Sequence, residues 1–141
     1  MNYTNPESLV STDWLDEHIG SPDLCIVDAS WYLPTENRDP KDEFTKHHIP
    51  GSIFFDINEI ADTENPLPHM IPSPEKFSSR MRKLGIGDGN HIVVYDGGMM
   101  MAASRAWWMF KLFGHEEVAV LDGGFNKWLA ENRTISDRPH Y

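Results

Sequence analysis

The stretch that decides the fold is Ile92-Val93-Val94-Tyr95-Asp96-Gly97-Gly98. An apolar run followed by a carboxylate and two glycines is typical of a buried strand that ends in a tight loop. Residues 102–113 follow this loop and have the composition of a helix that ends at Gly114. A strand, a glycine loop and a helix in this order predict one βα unit of a mainly parallel sheet.

The same alternation of strand and helix extends along the rest of the chain. We expect further strands at residues 24–28, 51–56 and 118–122, and helices at 11–20, 39–49, 73–84 and 125–131. Short apolar strands separated by helices predict an α/β fold, with a mainly parallel central sheet and helices on both faces. Ligands of such folds bind beyond the carboxyl ends of the strands, which draws attention to the loops after Asp28 and Tyr95.

Length and charge limit the possible functions. The chain has 141 residues, the size of a single domain, and its net charge is −10. Nucleic acids and anionic membranes require basic patches, so we expect neither as a partner. The N-terminus lacks a signal-peptide pattern and no apolar run approaches the length of a membrane span, which together predict a cytoplasmic location.

The chain has one cysteine, Cys25, which lies in the strand predicted at residues 24–28. A single thiol forms neither a disulfide framework nor a zinc site, and a thiol buried in a strand is usually an inert packing residue. We therefore expect no metal and no cofactor.

Asp96 occupies the first position of the loop that follows the central strand. A thiol there would be activated by loop N–H groups and by the helix dipole, whereas a carboxylate is a poor sulfur acceptor. One interpretation is a turn residue whose carboxylate accepts those N–H groups and fills the anion site. The other is a nucleophile in phosphoryl transfer, for which the sequence offers no second carboxylate with metal-ligand spacing.

Several motifs, in the right order, resemble those of rhodanese domains. His48-Ile49-Pro50-Gly51-Ser52 resembles the family's "HIPGA" signature, and Leu121 to Trp128 (LDGGFNKW) resembles its closing "DGG…W" signature. Residues 28–34, 66–73, 105–110 and 113–115 are similar to the N-terminal domain of 3-mercaptopyruvate and thiosulfate sulfurtransferases. The resemblance runs from about residue 10 to residue 133 of a single domain spanning 1–141, and residues 134–141 would begin an interdomain linker.

The resemblance implies a two-domain enzyme. In that family the second domain carries the catalytic cysteine, which moves sulfane sulfur from 3-mercaptopyruvate or thiosulfate to a thiol or cyanide through a persulfide. Asp96 stands at the position of that cysteine, so we expect the chain alone to be inactive. Its partners would be the cysteine-bearing domain and a small sulfur donor. The alternative is a stand-alone inactive rhodanese module that serves protein binding or regulation.

The resemblance also implies which residues line the cleft. Trp31 and Tyr32 would form its aromatic wall, and Arg38 would contact an anion. His69 and Asn58 match the histidine and aspartate of a Ser-His-Asp arrangement that activates the substrate in some members. Asn58 can orient an imidazole but cannot stabilise its charged form.

A second group of residues is expected at the interface between the two domains. Asp96 and the run Met99, Met100 and Met101 lie on the loop that faces the second domain by this resemblance. Packing of the methionines against the domain's own surface is an equally good interpretation.

Overall fold

The computed structural model describes residues 9–32, 34–57, 59–61, 71–87, 90–98 and 101–137. The strands of this part are β1 (Leu9–Val10), β2 (Leu24–Asp28), β3 (Ile53–Phe54), β4 (His91–Tyr95) and β5 (Val118–Leu121). The helices are α1 (Thr12–His18), α2 (Pro40–Lys46), α3 (Pro74–Leu84), α4 (Met101–Leu112) and α5 (Gly124–Ala130), with a 3₁₀ turn at Pro34–Glu36. The predicted alternation is confirmed. β1 and the 3₁₀ turn were not predicted, because two or three residues are too few to show a period.

The described strands form one parallel sheet in the order β1-β5-β4-β2-β3. β4 lies at its centre and pairs with β2 from Leu24↔His91 to Asp28↔Tyr95. Asp28 and Tyr95 therefore end their strands side by side. The two loops selected from the sequence meet at the same edge of the sheet.

Apolar side chains cover both faces of the sheet. On one face Val94 belongs to a buried cluster with Phe77 of α3 and Phe110 of α4. On the other, Val93 and Tyr95 belong to a cluster with residues of α1 and α5. Successive residues of β4 thus point to opposite cores, which confirms the helices on both faces.

Helices α1, α2 and α3 begin at the capping residues that the sequence suggests, whereas α1 and α2 end at His18 and Lys46, before the predicted limits of residues 20 and 49. The Ser11 hydroxyl accepts the N–H of Trp14 at the start of α1, and Asp39 and Ser73 cap α2 and α3 in the same way. Gly85 ends α3 in the left-handed conformation, at φ 82°. None of the described helices is long and apolar enough to cross a membrane.

The segment His48 to Ser52 is a structural turn at the end of α2. His48 is 1% exposed, and its Nδ1 lies 2.7 Å from the carbonyl oxygen of Phe44. The Tyr95 hydroxyl lies 3.0 Å from the Ser52 hydroxyl and accepts the N–H of Ile49 at 3.2 Å. These contacts attach the turn to the central strand.

The segment after α5 is attached to the body of the domain. The indole N–H of Trp128 donates to the carbonyl of Thr134 at 2.8 Å. Arg133 contacts Asp16 at 2.7 Å, and Ser136 forms an antiparallel bridge with His48. The described part of the expected linker, residues 134–137, therefore packs on the surface of the domain.

Candidate functional site

The loop after β4 is closed by the side chain of its own first residue. Asp96 is 2% exposed. Its Oδ1 accepts the N–H of Gly98 at 2.8 Å, and its Oδ2 accepts the N–H of Ala103, in the first turn of α4, at 2.7 Å. The carboxylate therefore occupies N–H groups that an external anion would need. This confirms the interpretation of Asp96 as a self-capping residue.

The loop after β2 supports the loop after β4. The hydroxyl of Ser30 accepts the N–H of Gly97 at 2.9 Å and donates to Asp28 Oδ1 at 2.5 Å. The same Asp28 oxygen accepts the backbone N–H of Ser30 at 2.9 Å. From the other side, the N–H of Phe125 donates to the carbonyl of Asp96 at 2.9 Å. Three loops at the carboxyl edge of the sheet are thereby held together.

A cluster of Tyr32, Arg38 and Glu43 covers Gly97. Arg38 donates to both carboxylate oxygens of Glu43, at 3.0 and 2.7 Å. The Arg38 guanidinium lies 3.8 Å from the centre of the Tyr32 ring. Burial raises the pKa of Tyr32 to about 12, so its hydroxyl is neutral at physiological pH. The sequence suggested an anion contact for Arg38, and the structure places its guanidinium on Glu43.

The approach of Tyr32 explains the glycine at position 97. A Cβ built on Gly97 would overlap the Tyr32 hydroxyl, whereas a Cβ on Gly98 would lie at 3.6 Å from the same ring, an ordinary contact. We predict that Gly97→Ala lowers the free energy of unfolding by about 1–3 kcal/mol through overpacking. Chemical denaturation measures this, with Gly98→Ala as the matched control. The loss should shrink in a Tyr32→Phe background, and an equal loss in both backgrounds would exclude the proposed clash.

Asp28 is a buried acid at the end of β2. It is 5% exposed. Burial, with smaller contributions from Asp96 and Glu43, raises its pKa from 3.8 to about 6, although the bonds from Ser30 favour the charged form. Between pH 3.8 and about 6, Asp28 is therefore mostly protonated in the folded protein and mostly ionised in the unfolded chain.

This raised pKa predicts a pH dependence of stability. The contribution of Asp28 is fully present below its unfolded pKa and is lost as the pH rises through its folded pKa. At about 1.4 kcal/mol per pH unit, the loss reaches up to about 3 kcal/mol. In denaturant unfolding, Asp28→Asn should therefore gain stability relative to the parent as the pH rises from about 4 to about 7. Asp23→Asn removes an exposed carboxylate just before β2 and should not gain stability over this pH range. If the stability of all three proteins changed with pH in the same way, the assignment to Asp28 would be contradicted.

The structure describes only some of the other residues that the sequence selected. Trp31 is half-buried and packs against the core that contains α3 and α4, and Met101 is 79% exposed at the start of α4. Asn58, His69, Met99 and Met100 lie outside the described residues. Cys25 lies in β2 opposite Ile92, and burial raises the pKa of its thiol. A raised pKa disfavours the thiolate, as expected of a packing cysteine.

Sequence reasoning did not single out Ser30, Asp28 or Glu43 as site residues. Asp28 carried one available signal, a carboxylate at the end of a buried strand. The roles of Ser30 and Glu43 depend on contacts across loops, with Gly97 and Arg38 respectively. Among the described residues, no group of three or more His, Cys, Asp or Glu side chains is arranged to hold a metal ion.

Comparison with known proteins gives a consistent result. The family described as "Rhodanese-like domain" matches residues 11–131. Thiosulfate/3-mercaptopyruvate sulfurtransferase 1, mitochondrial, of Arabidopsis thaliana is 49% identical, over 92% of this chain and 34% of the relative. The 3-mercaptopyruvate sulfurtransferase of Escherichia coli K12 is 43% identical, over 91% of this chain and 46% of the relative.

Solved structures agree with the sequence comparison. The crystal structure of SseA from Escherichia coli superposes with a TM-score of 0.88 at 42% identity, and the match covers 92% of this chain and 50% of that one. The chain thus spans between one third and one half of the length of these relatives.

Proposed function

The chain belongs to the rhodanese-like domain family, and we propose that it is the N-terminal domain, without the catalytic cysteine, of a two-domain sulfurtransferase. The whole enzyme would move sulfane sulfur from 3-mercaptopyruvate or thiosulfate to a thiol or cyanide. A cysteine on the second domain would carry the sulfur as a persulfide. A cytoplasmic location is part of this proposal.

The geometry of Asp96 carries the proposal. It follows the central strand, at the position where the resemblance expects a cysteine, and its carboxylate accepts the N–H groups of Gly98 and Ala103. A carboxylate is a poor acceptor of sulfur. The N–H groups that would stabilise an anionic nucleophile or substrate are already used. This loop is suited to a structural role.

The length of the relatives supports a missing partner domain. The matched relatives continue for as much chain again or more. In the proposed enzyme the second domain packs against this one and closes the cleft. Met101, which is 79% exposed, would contribute to that interface together with Met99, Met100 and the Asp96 loop.

The role of this domain would be to shape the cleft. Trp31 and Tyr32 would provide its aromatic wall. The Tyr32–Arg38–Glu43 cluster would hold Tyr32 in place, because Arg38 both stacks on the ring and pairs with Glu43. His69 and Asn58 would act on the substrate by orientation and hydrogen bonding.

A reconstitution assay tests the proposal. The chain is combined with the cysteine-bearing half of the Escherichia coli relative, and thiocyanate formation is followed with each donor and cyanide. We expect background activity from the chain alone and at least a tenfold gain when both halves are present. Robust activity from the chain alone, or no gain on mixing, would refute the proposal.

Two substitutions on α4 form a matched pair for the interface. Met101 and Leu112 are both exposed, at 79% and 51%, and lie at opposite ends of the helix. Met101→Asp should abolish most of the gain, whereas Leu112→Asp should retain it. If Leu112→Asp lost the gain in activity and Met101→Asp kept it, the interface would lie elsewhere on the domain.

A stand-alone binding module remains the second candidate, favoured by the same closed Asp96 loop. It requires that the chain folds and binds a protein partner with no cysteine-bearing domain attached. The sequence encoded downstream decides between the two. A further strand-cysteine-loop-helix unit there would exclude the stand-alone module.

A further inference from the structure

A cavity of about 210 Å³ lies beside the Asp96 loop, between that loop, α2 and the start of α5. Its lining includes Asp28, Tyr32, Phe44, Phe125 and Leu129. Leu129 is 42% exposed, so the cavity opens to solvent on the side of α5. Tyr32 also belongs to the cleft wall proposed above, whereas the sulfur transfer gives no role to Asp28, Phe125 or Leu129.

The basic side chains that line the cavity are already paired with carboxylates of α2. Arg38 contacts Glu43 at 2.7 Å, and Lys46 contacts Asp42 at 2.9 Å. His47 is exposed at the rim. These pairs leave no basic excess for an anionic ligand.

Asp28 differs from these carboxylates because it forms no salt bridge among the described residues. The two hydrogen bonds that Asp28 accepts from Ser30, one from the N–H and one from the hydroxyl, both go to one oxygen, Oδ1. No described residue bonds to the second oxygen, Oδ2. Asp96 and Glu43, both acidic, are close enough to raise the pKa of Asp28. An ionised carboxylate that is 5% exposed and has no salt-bridge partner is costly, and a bound cation would offset part of that cost.

From these observations we infer that the cavity is a binding site for a small organic monocation, a primary amine with an apolar body, whose ammonium group pairs with Asp28. The three apolar side chains Phe44, Phe125 and Leu129 would enclose the body of the ligand. Cavities of about 150 Å³ are known to hold a benzene ring. A volume of about 210 Å³ therefore has room for a ring and a short aminoalkyl group.

The site shares Tyr32 with the proposed cleft, but its ammonium-binding carboxylate, Asp28, has no part in the proposed sulfur transfer. Its ligand would occupy the space beside the closed loop, next to Tyr32 and Gly97. Binding would stabilise the ionised form of Asp28. Because Tyr32 covers the Asp96 loop, the ligand would also hold that loop in its closed form.

Benzylamine is the test ligand, with benzyl alcohol and benzoate as neutral and anionic probes of similar shape. Each is titrated into the isotope-labelled 141-residue chain at about pH 8, where Asp28 is ionised because its pKa is about 6. Amide resonances of Ser30, Gly97 and Gly98 report binding. We expect saturable shifts with benzylamine, and affinities at least tenfold lower for the other two compounds.

Two variants with the same loss of charge distinguish the site from general attraction to an acidic protein. Asp28→Asn should weaken benzylamine binding at least tenfold while keeping the dispersed amide spectrum of a folded chain. Asp23→Asn, at an exposed turn residue just before the same strand, should bind as the parent does. Benzoate binding as tight as benzylamine, equal effects of the two variants, or shifts that do not saturate would each overturn the inference.

Discussion

Replacing Asp96 by alanine is expected to lower the free energy of unfolding by about 2–5 kcal/mol. The carboxylate accepts the N–H groups of Gly98 and Ala103, at 2.8 and 2.7 Å, inside a loop where it is only 2% exposed. Its removal leaves both N–H groups without that acceptor, at about 1–3 kcal/mol each. Relief of the repulsion between Asp96 and Asp28 offsets part of this loss.

Denaturant unfolding at neutral pH measures this loss in the free energy of unfolding, and two control variants are measured for comparison. Asp96→Asn keeps one acceptor oxygen and should lose less than the alanine variant. Asp23→Ala removes an exposed carboxylate and should change stability by less than about 0.5 kcal/mol. An Asp96→Ala variant as stable as the parent would mean that the loop N–H groups do not depend on the carboxylate.

Replacing Asp96 by cysteine is expected to create a thiol at least tenfold richer in thiolate at neutral pH than Cys25. The N–H groups of Gly98 and Ala103 and the start of α4 would stabilise a negative charge at position 96. Burial raises the pKa of Cys25 and disfavours its thiolate. Asp28, which is largely ionised at neutral pH because its pKa is about 6, opposes the effect in part.

Thiolate absorbance measured against pH tests this prediction better than alkylation does. Position 96 is buried beneath the loop, so a bulky reagent could react slowly with an acidic thiol. The assay uses Cys25→Ala/Asp96→Cys beside the parent, so that each protein has a single thiol. A thiol at position 96 no more acidic than Cys25 would show that the loop does not favour an anion.

The fold could be predicted because its signals are local. The run Ile92 to Tyr95 is apolar on both faces, and caps such as Ser11 and Asp39 mark where helices begin. β1 lacked such a signal. It has two residues, and only its pairing with β5 makes it a strand.

The site was predictable only in part, because its chemistry depends on contacts between loops. The self-capping role of Asp96 follows from a carboxylate beside loop and helix N–H groups, and it was predicted. The bond from Gly97 to Ser30 joins residues 67 positions apart, and no spacing rule reveals it. The pKa of Asp28 depends on burial among Asp96 and Glu43, which only the folded chain brings together.

We propose that this chain does not itself carry sulfur through a covalent intermediate. The most direct test is the intact mass of the isolated chain after incubation with 3-mercaptopyruvate or thiosulfate and removal of the donor. We expect an unchanged mass, because Asp96 occupies the loop position and Cys25 is half-buried in β2 with a raised pKa. A stoichiometric gain of one sulfur atom on Cys25, released by cyanide, would contradict it.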